Sequence, residues 1–93
     1  MAPKIKRRDF LLLRASSDGF ATEISCQHLL MKYLDAQMEG TAADLFARLE
    51  RELAGVRQLR LVDTEWLARE DFKKELQRVL YEFSKRGGQV LAR

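Results

Sequence analysis

The spacing of apolar positions changes character twice along this chain, and each change marks a new kind of element. Phe10-Leu11-Leu12-Leu13 is an unbroken apolar run, which predicts a strand interior to its sheet and covered in part on both faces. Ser16-Ser17-Asp18-Gly19 follows, and Asp-Gly supplies the positive backbone angles of a tight reversal. Beyond it Phe20, Thr22, Ile24 and Cys26 alternate with Ala21, Glu23 and Ser25, the period-two pattern of a half-buried strand. The expectation is an antiparallel hairpin over residues 8–15 and 20–26.

From His28 the period lengthens. Leu30, Leu34 and Met38 recur every four residues, with Leu29 and Tyr33 beside them, which predicts a helix with one apolar stripe ending at Glu39-Gly40. A second helix is expected from Thr41, whose hydroxyl can cap free N–H groups, with Asp44 in the first turn. Its buried stripe would be Ala42, Leu45, Phe46, Leu49 and Leu53, and Gly55 would end it. Residues 57–63 read as a short strand with Leu59 and Leu61 on one face and Arg60 and Val62 on the other, the arginine pointing to incomplete cover. The longest helix is predicted over 67–86. Phe72, Leu76, Val79, Leu80 and Phe83 form its core stripe, and Glu70 with Lys74 and Glu82 with Arg86 form i,i+4 pairs outside. Gly87-Gly88 stops it, and residues 89–93 can form a last strand.

The resulting order, β-β-α-α-β-α-β, predicts a single small α/β domain with a mixed four-stranded sheet. Right-handed crossovers would place the helices mainly on one face. Ninety-three residues, 46% hydrophobic and 33% charged, suffice for one modest core. No apolar stretch approaches the length of a membrane span. The net charge of +3 looks like an invitation to nucleic acid until the charges are located. Lys4, Lys6, Arg7 and Arg8 form a basic arm over residues 1–8, and residues 9–93 hold thirteen basic against fourteen acidic side chains. A nucleic-acid reader more usually carries a basic stripe over its fold, so the expectation is a protein partner, with weak polyanion attraction confined to the arm. A lone cysteine rules out an intramolecular disulfide and fits a reducing compartment.

Two short stretches carry family resemblances. Arg7-Arg8-Asp9-Phe10-Leu11 resembles the core of the twin-arginine export signal. A working signal also needs a long uncharged apolar segment, and here Arg14, Asp18 and Glu23 interrupt it; the expectation is therefore a cytoplasmic protein whose arm leads into a strand. Arg86-Gly87-Gly88-Gln89-Val90-Leu91, closing a βαβ unit, resembles the end of a sulfate-transporter/anti-sigma-antagonist regulatory domain. The Asp-Ser-(Ser/Ala)-Gly-Leu phosphoacceptor turn of that family is absent, so no functional residue is carried over.

Candidate chemistry is sparse. The turn after the third strand holds Asp63, Thr64 and Glu65 followed by Trp66, where an open α/β sheet places its ligands; Asp63 could serve as base or metal ligand. The alternative is structural: Asp63 or Thr64 caps the long helix and Trp66 packs into the core. Cys26 and His28 could share one face at the end of the second strand as a thiolate pair or part of a metal site, although a zinc site needs about four ligands and the chain holds one of each. Phosphate loops, the nucleophile elbow and the His-Glu-x-x-His pattern are missing. No cofactor or metal is expected. The sequence thus predicts a non-enzymatic interaction or regulatory module with a partner it does not identify. A small enzyme or ligand-binding domain at the 63–65 turn is the rival, and weak nucleic-acid binding through the arm the third. Oligomeric state is left open. The first two separate on whether Asp63, Glu65, Trp66, Cys26 and His28 converge on an accessible concavity.

Overall fold

A computed structural model of the chain describes residues 12–15 and 21–91. The hairpin turn and all of the arm lie outside the described residues. The elements are β1 (Leu13–Ala15), β2 (Thr22–Ser25), α1 (Cys26–Glu39), α2 (Ala42–Leu53), β3 (Gln58–Val62), a 3-10 turn (Thr64–Trp66), α3 (Glu70–Lys85) and β4 (Gln89–Leu91). They form one mixed α/β sheet in the order β1-β2-β3-β4. β1 pairs antiparallel with β2, while β2, β3 and β4 are parallel. β1 is therefore an edge strand, not the interior strand its apolar run predicts. Leu13 and the preceding Leu12 are nonetheless buried in the core shared with the helices, and α2 reaches this edge: the Leu12 N–H donates to Glu52 Oε1 of α2 at 3.0 Å.

Register sorts the sheet residues into two sets. Leu13 pairs with Ile24 and Ile24 with Leu61, while Thr22 pairs with Leu59 and Leu59 with Val90. Ile24 and Leu59 are fully buried under the helices. On the opposite face Arg14, Glu23 and Arg60 stand side by side on three strands. Glu23 accepts from Arg14 Nε at 3.1 Å and lies 4.0 Å from Arg60, so the arginine predicted to mark incomplete cover sits in a cross-strand ion pair on the face away from the core.

The helical layer closes on an aromatic triad. Tyr33 of α1 meets Phe46 of α2 edge-on with centroids 5.6 Å apart, and Phe72 of α3 lies 5.4 Å from Tyr33 and 6.3 Å from Phe46, within the favoured range for aromatic pairs. Leu49 and Leu53 of α2 and Leu76, Val79 and Phe83 of α3 complete the core, matching the predicted stripes. α1 departs from prediction. It begins at Cys26, two residues early, because Ser25 caps it, and it buries Cys26, Leu29, Leu30, Tyr33 and Ala36. Leu34 and Met38 of the expected stripe face outward, 37% and 86% exposed. A helix with apolar residues on two sides has no unique buried face by pattern, and packing on α2 selects the Leu30–Tyr33 side.

Local chemistry at the helix ends also differs from expectation. Gly40 ends α1 at φ 76°, with Thr41 N–H reaching Ala36 carbonyl at 2.8 Å, a left-handed cap suited to glycine. Thr41 Oγ1 turns back to the same carbonyl at 3.5 Å instead of capping α2. α3 starts at Glu70, not at 67, because the 3-10 turn occupies the preceding residues. Glu70–Lys74 and Glu82–Arg86 do not pair; the outer face of α3 is held instead by Arg78, 3.2 Å from Glu75 and 3.0 Å from Glu50 of α2. Arg78 thus bridges a partner one turn back on α3 and one on α2. At Gly88 a Cβ would collide with the Phe83 ring, so glycine there lets the chain cross the end of α3 into β4.

Candidate functional site

β2 and β3 run parallel, and Ser25 pairs with Val62 at their carboxyl ends. The two chain exits therefore leave the sheet side by side, and one side chain ties them together. Ser25 Oγ accepts the His28 N–H at 3.2 Å, capping α1, and donates its own hydrogen to Asp63 Oδ2 at 2.7 Å. Both bonds use one buried hydroxyl, which is donor and acceptor at once. Asp63 adopts φ 57°, ψ 43°, a left-handed conformation that aspartate tolerates better than most residues. Its carboxylate faces Ser25 and caps no helix: neither the 3-10 turn nor α3 receives a side-chain cap from it or from Thr64. α3 is served from within, by Asp71 Oδ1 accepting Phe72 N–H at 2.8 Å. Trp66, expected in the core, is 39% exposed, because the 3-10 turn carries it past the sheet end.

Cys26 and His28 do not share a face. Both lie in the first turn of α1, where residues two apart point in divergent directions; Cys26 is fully buried and His28 exposed. Burial pushes the Cys26 thiol up to about 11, and the negative charges of Asp63 and Glu65 add to the effect. Near neutral pH the sulfur is a protonated packing group, the opposite of an activated nucleophile. Among the described residues no group of three His, Cys, Asp or Glu side chains could hold a metal ion.

Asp63, Thr64 and Glu65 do line a cleft, of about 580 Å³, together with Arg60 and the β4 residues Val90 and Leu91. Cys26, His28 and Trp66 are not part of its lining. The five residues whose convergence would mark an enzyme therefore divide: Asp63 and Glu65 line the cleft, the thiol is buried outside its lining, and the imidazole and indole lie elsewhere on the surface. Among the described residues the cleft offers one hydroxyl, two carboxylates and one guanidinium, and the Asp63 carboxylate is already bonded to the Ser25 hydroxyl, which is outside the lining.

Sequence reasoning passed over Ser25, which the alternation places on a strand. The signal available was Ser25 three residues before His28 at the start of the helical period, an N-cap spacing. It also passed over a clasp between α1 and α3. Arg69 grips Asp71 with Nε at 2.8 Å and Nη2 at 3.2 Å, and donates to Gln37 Oε1 at 3.1 Å. Tyr33 donates to Asp71 Oδ2 at 3.2 Å and accepts from Gln37 at 3.0 Å. The Arg69 guanidinium, first among several donors, holds the Asp71 carboxyl down to about 2. No local pattern announces residues 32 to 38 positions apart.

Compared with protein-family models, curated proteins and solved structures, the chain finds no match. No described helix is long and apolar enough to cross a membrane.

Proposed function

We propose that this protein is a non-catalytic interaction module of regulatory type, and that the outer face of α1 is its docking surface for a protein partner. The observation that carries the reading is the alignment of Met31, Leu34 and Met38, 55%, 37% and 86% exposed, at positions i, i+3 and i+7 of one helix. Single exposed apolar residues are ordinary. Three in one stripe, two of them methionines able to adapt to a partner's contour, have the spacing with which helices enter apolar grooves. The shielded, protonated Cys26 supports the non-catalytic half of the proposal. Met31→Ser, Leu34→Ser and Met38→Ser combined should leave the melting temperature within a few degrees of wild type while eliminating a partner that wild type retains. The complex should also slow amide exchange within α1. A partner held equally by both proteins overturns the assignment.

The rival reading, a small-ligand domain, draws support from the cleft at Asp63, Thr64 and Glu65. A ligand-dependent rise in melting temperature that Thr64→Ala and Glu65→Gln abolish would move the function to that turn.

A further inference from the structure

At the opposite end of the sheet, where β2, β3 and β4 begin, three arginines gather around one cleft. Eight arginines fall among the described residues. Arg14, Arg48, Arg60, Arg69 and Arg78 each lie within 4.0 Å of a carboxylate oxygen. Among the described residues Arg51, Arg57 and Arg86 have no carboxylate partner; all three are exposed and line one cleft of about 1420 Å³. They come from three separate segments. Arg51 is in the last turn of α2, Arg57 precedes β3, and Arg86 caps α3. The Gln89 N–H donates to the Arg57 carbonyl at 2.9 Å, which fixes the Arg57 and Arg86 loops against each other.

Helix dipoles account for part of this. Cations near the carboxyl ends of α2 and α3 offset the negative ends of those helices. That covers Arg51 and Arg86 and leaves Arg57, which belongs to no helix. Among the described residues the one carboxylate in the lining, Glu52, is committed: it accepts from Arg48 Nε at 2.7 Å and from the Leu12 N–H, and its side chain is 8% exposed. Gly55 and Gly87 turn the two helix ends at φ 90° and 97°, with open space where a Cβ would stand.

We infer that this cleft binds a small molecule bearing two or more phosphoryl groups, held by the guanidinium forks of Arg51, Arg57 and Arg86. Guanidinium matches phosphate oxygens in bidentate fashion. Cations arranged around a concavity from three segments suit a compact anion; a nucleic-acid backbone calls for cations spread along a stripe.

The test is calorimetric titration of the full chain with sodium tripolyphosphate at physiological salt, with orthophosphate and a DNA duplex in parallel. Saturable one-to-one binding of tripolyphosphate is expected, tighter than orthophosphate. Each of Arg51→Gln, Arg57→Gln and Arg86→Gln should weaken it about tenfold or more, and all three together should abolish it. Arg78→Gln, whose arginine is ion-paired, should bind as wild type, as should a chain with Lys4, Lys6, Arg7 and Arg8 changed to Gln. In the unaltered protein, amide resonances of Gly55, Gly87 and Gly88 should shift on titration, a readout independent of any variant's folding. Absent binding, binding unchanged in the triple variant, dependence on the arm, or tighter binding of duplex through the same arginines would each overturn the inference.

Discussion

A thiol that titrates near 11 should behave as an inert side chain, and Cys26 offers the sharpest test at the level of single residues. Native protein should resist alkylation at pH 8, with labelling that tracks unfolding in denaturant; rapid labelling of the folded state would show that the α1 start is open to solvent. The sign of the pH dependence follows from the direction of the shift. The unfolded thiol loses its proton near 9.0, the folded one near 11. The contribution of the protonated thiol is whole below pH 9 and is lost as pH rises toward 11. Wild type should therefore lose more stability over that interval than Cys26→Ala. Asp71 runs the other way. Its carboxyl is held down to about 2, with Arg69 as the first cause, so what it contributes is present above about pH 4 and is lost as pH falls toward 2. Melting curves of Asp71→Asn should lack that acid-limb dependence. The two residues also differ in legibility. Cys26 extends an apolar alternation and its burial could be read directly. The role of Asp71 depends on Tyr33 and Gln37 from another helix, and no local pattern encodes such a contact.

At the scale of elements, the stripes of α2 and α3 were readable because each has one apolar face and charge elsewhere. Leu76 is 1% exposed between Val79, Phe72 and the sheet, and Leu76→Ala should cost about 2–5 kcal/mol in chemical denaturation through transfer and cavity effects. A loss below about 1 kcal/mol would mean that the site collapses around the smaller side chain. α1 was readable as a helix but not in its orientation, since Leu30, Leu34 and Met38 satisfy the period as well as Leu29, Tyr33 and Ala36 do. Only the aromatic contact of Tyr33 with Phe46 and Phe72 breaks the tie. The start of α1 was misplaced for a related reason, because Ser25 fits both the strand alternation and an N-cap. Ser25→Ala removes the cap and leaves Asp63 without its donor, and should cost about 1–2 kcal/mol. Ser25→Thr, which keeps a hydroxyl, should recover part of that loss. Equal stability of the alanine variant would show that Asp63 and the α1 amides find water as readily as they find the serine.

For the whole molecule, element order and the hydrophobic pattern were enough to anticipate a mixed α/β sheet, and the parallel pairing of β2, β3 and β4 agrees with successive helical crossovers. The edge position of β1 was not legible, because the Phe10 to Leu13 run looks the same whether its cover comes from neighbouring strands or from α2. Charge is likewise a property of the molecule as a whole. Paired arginines neutralise much of the folded body, and what stays uncommitted among the described arginines is Arg51, Arg57 and Arg86. The four cations of residues 1–8 form a second, separate group in the sequence. The two groups should respond differently to polyanions. A handful of contacts to phosphates spaced along a duplex gives affinity that falls steeply with salt and carries no base preference. Fluorescence anisotropy with a labelled duplex should accordingly show weak binding at low ionic strength, lost at physiological salt and equal for unrelated sequences. Changing Lys4, Lys6, Arg7 and Arg8 to Gln should eliminate it, while Arg51→Gln, Arg57→Gln and Arg86→Gln should leave most of it in place. Duplex binding that survives physiological salt and distinguishes base sequences would mean that the folded body reads nucleic acid, and both the interaction-module proposal and the separation of the two basic groups would fall together.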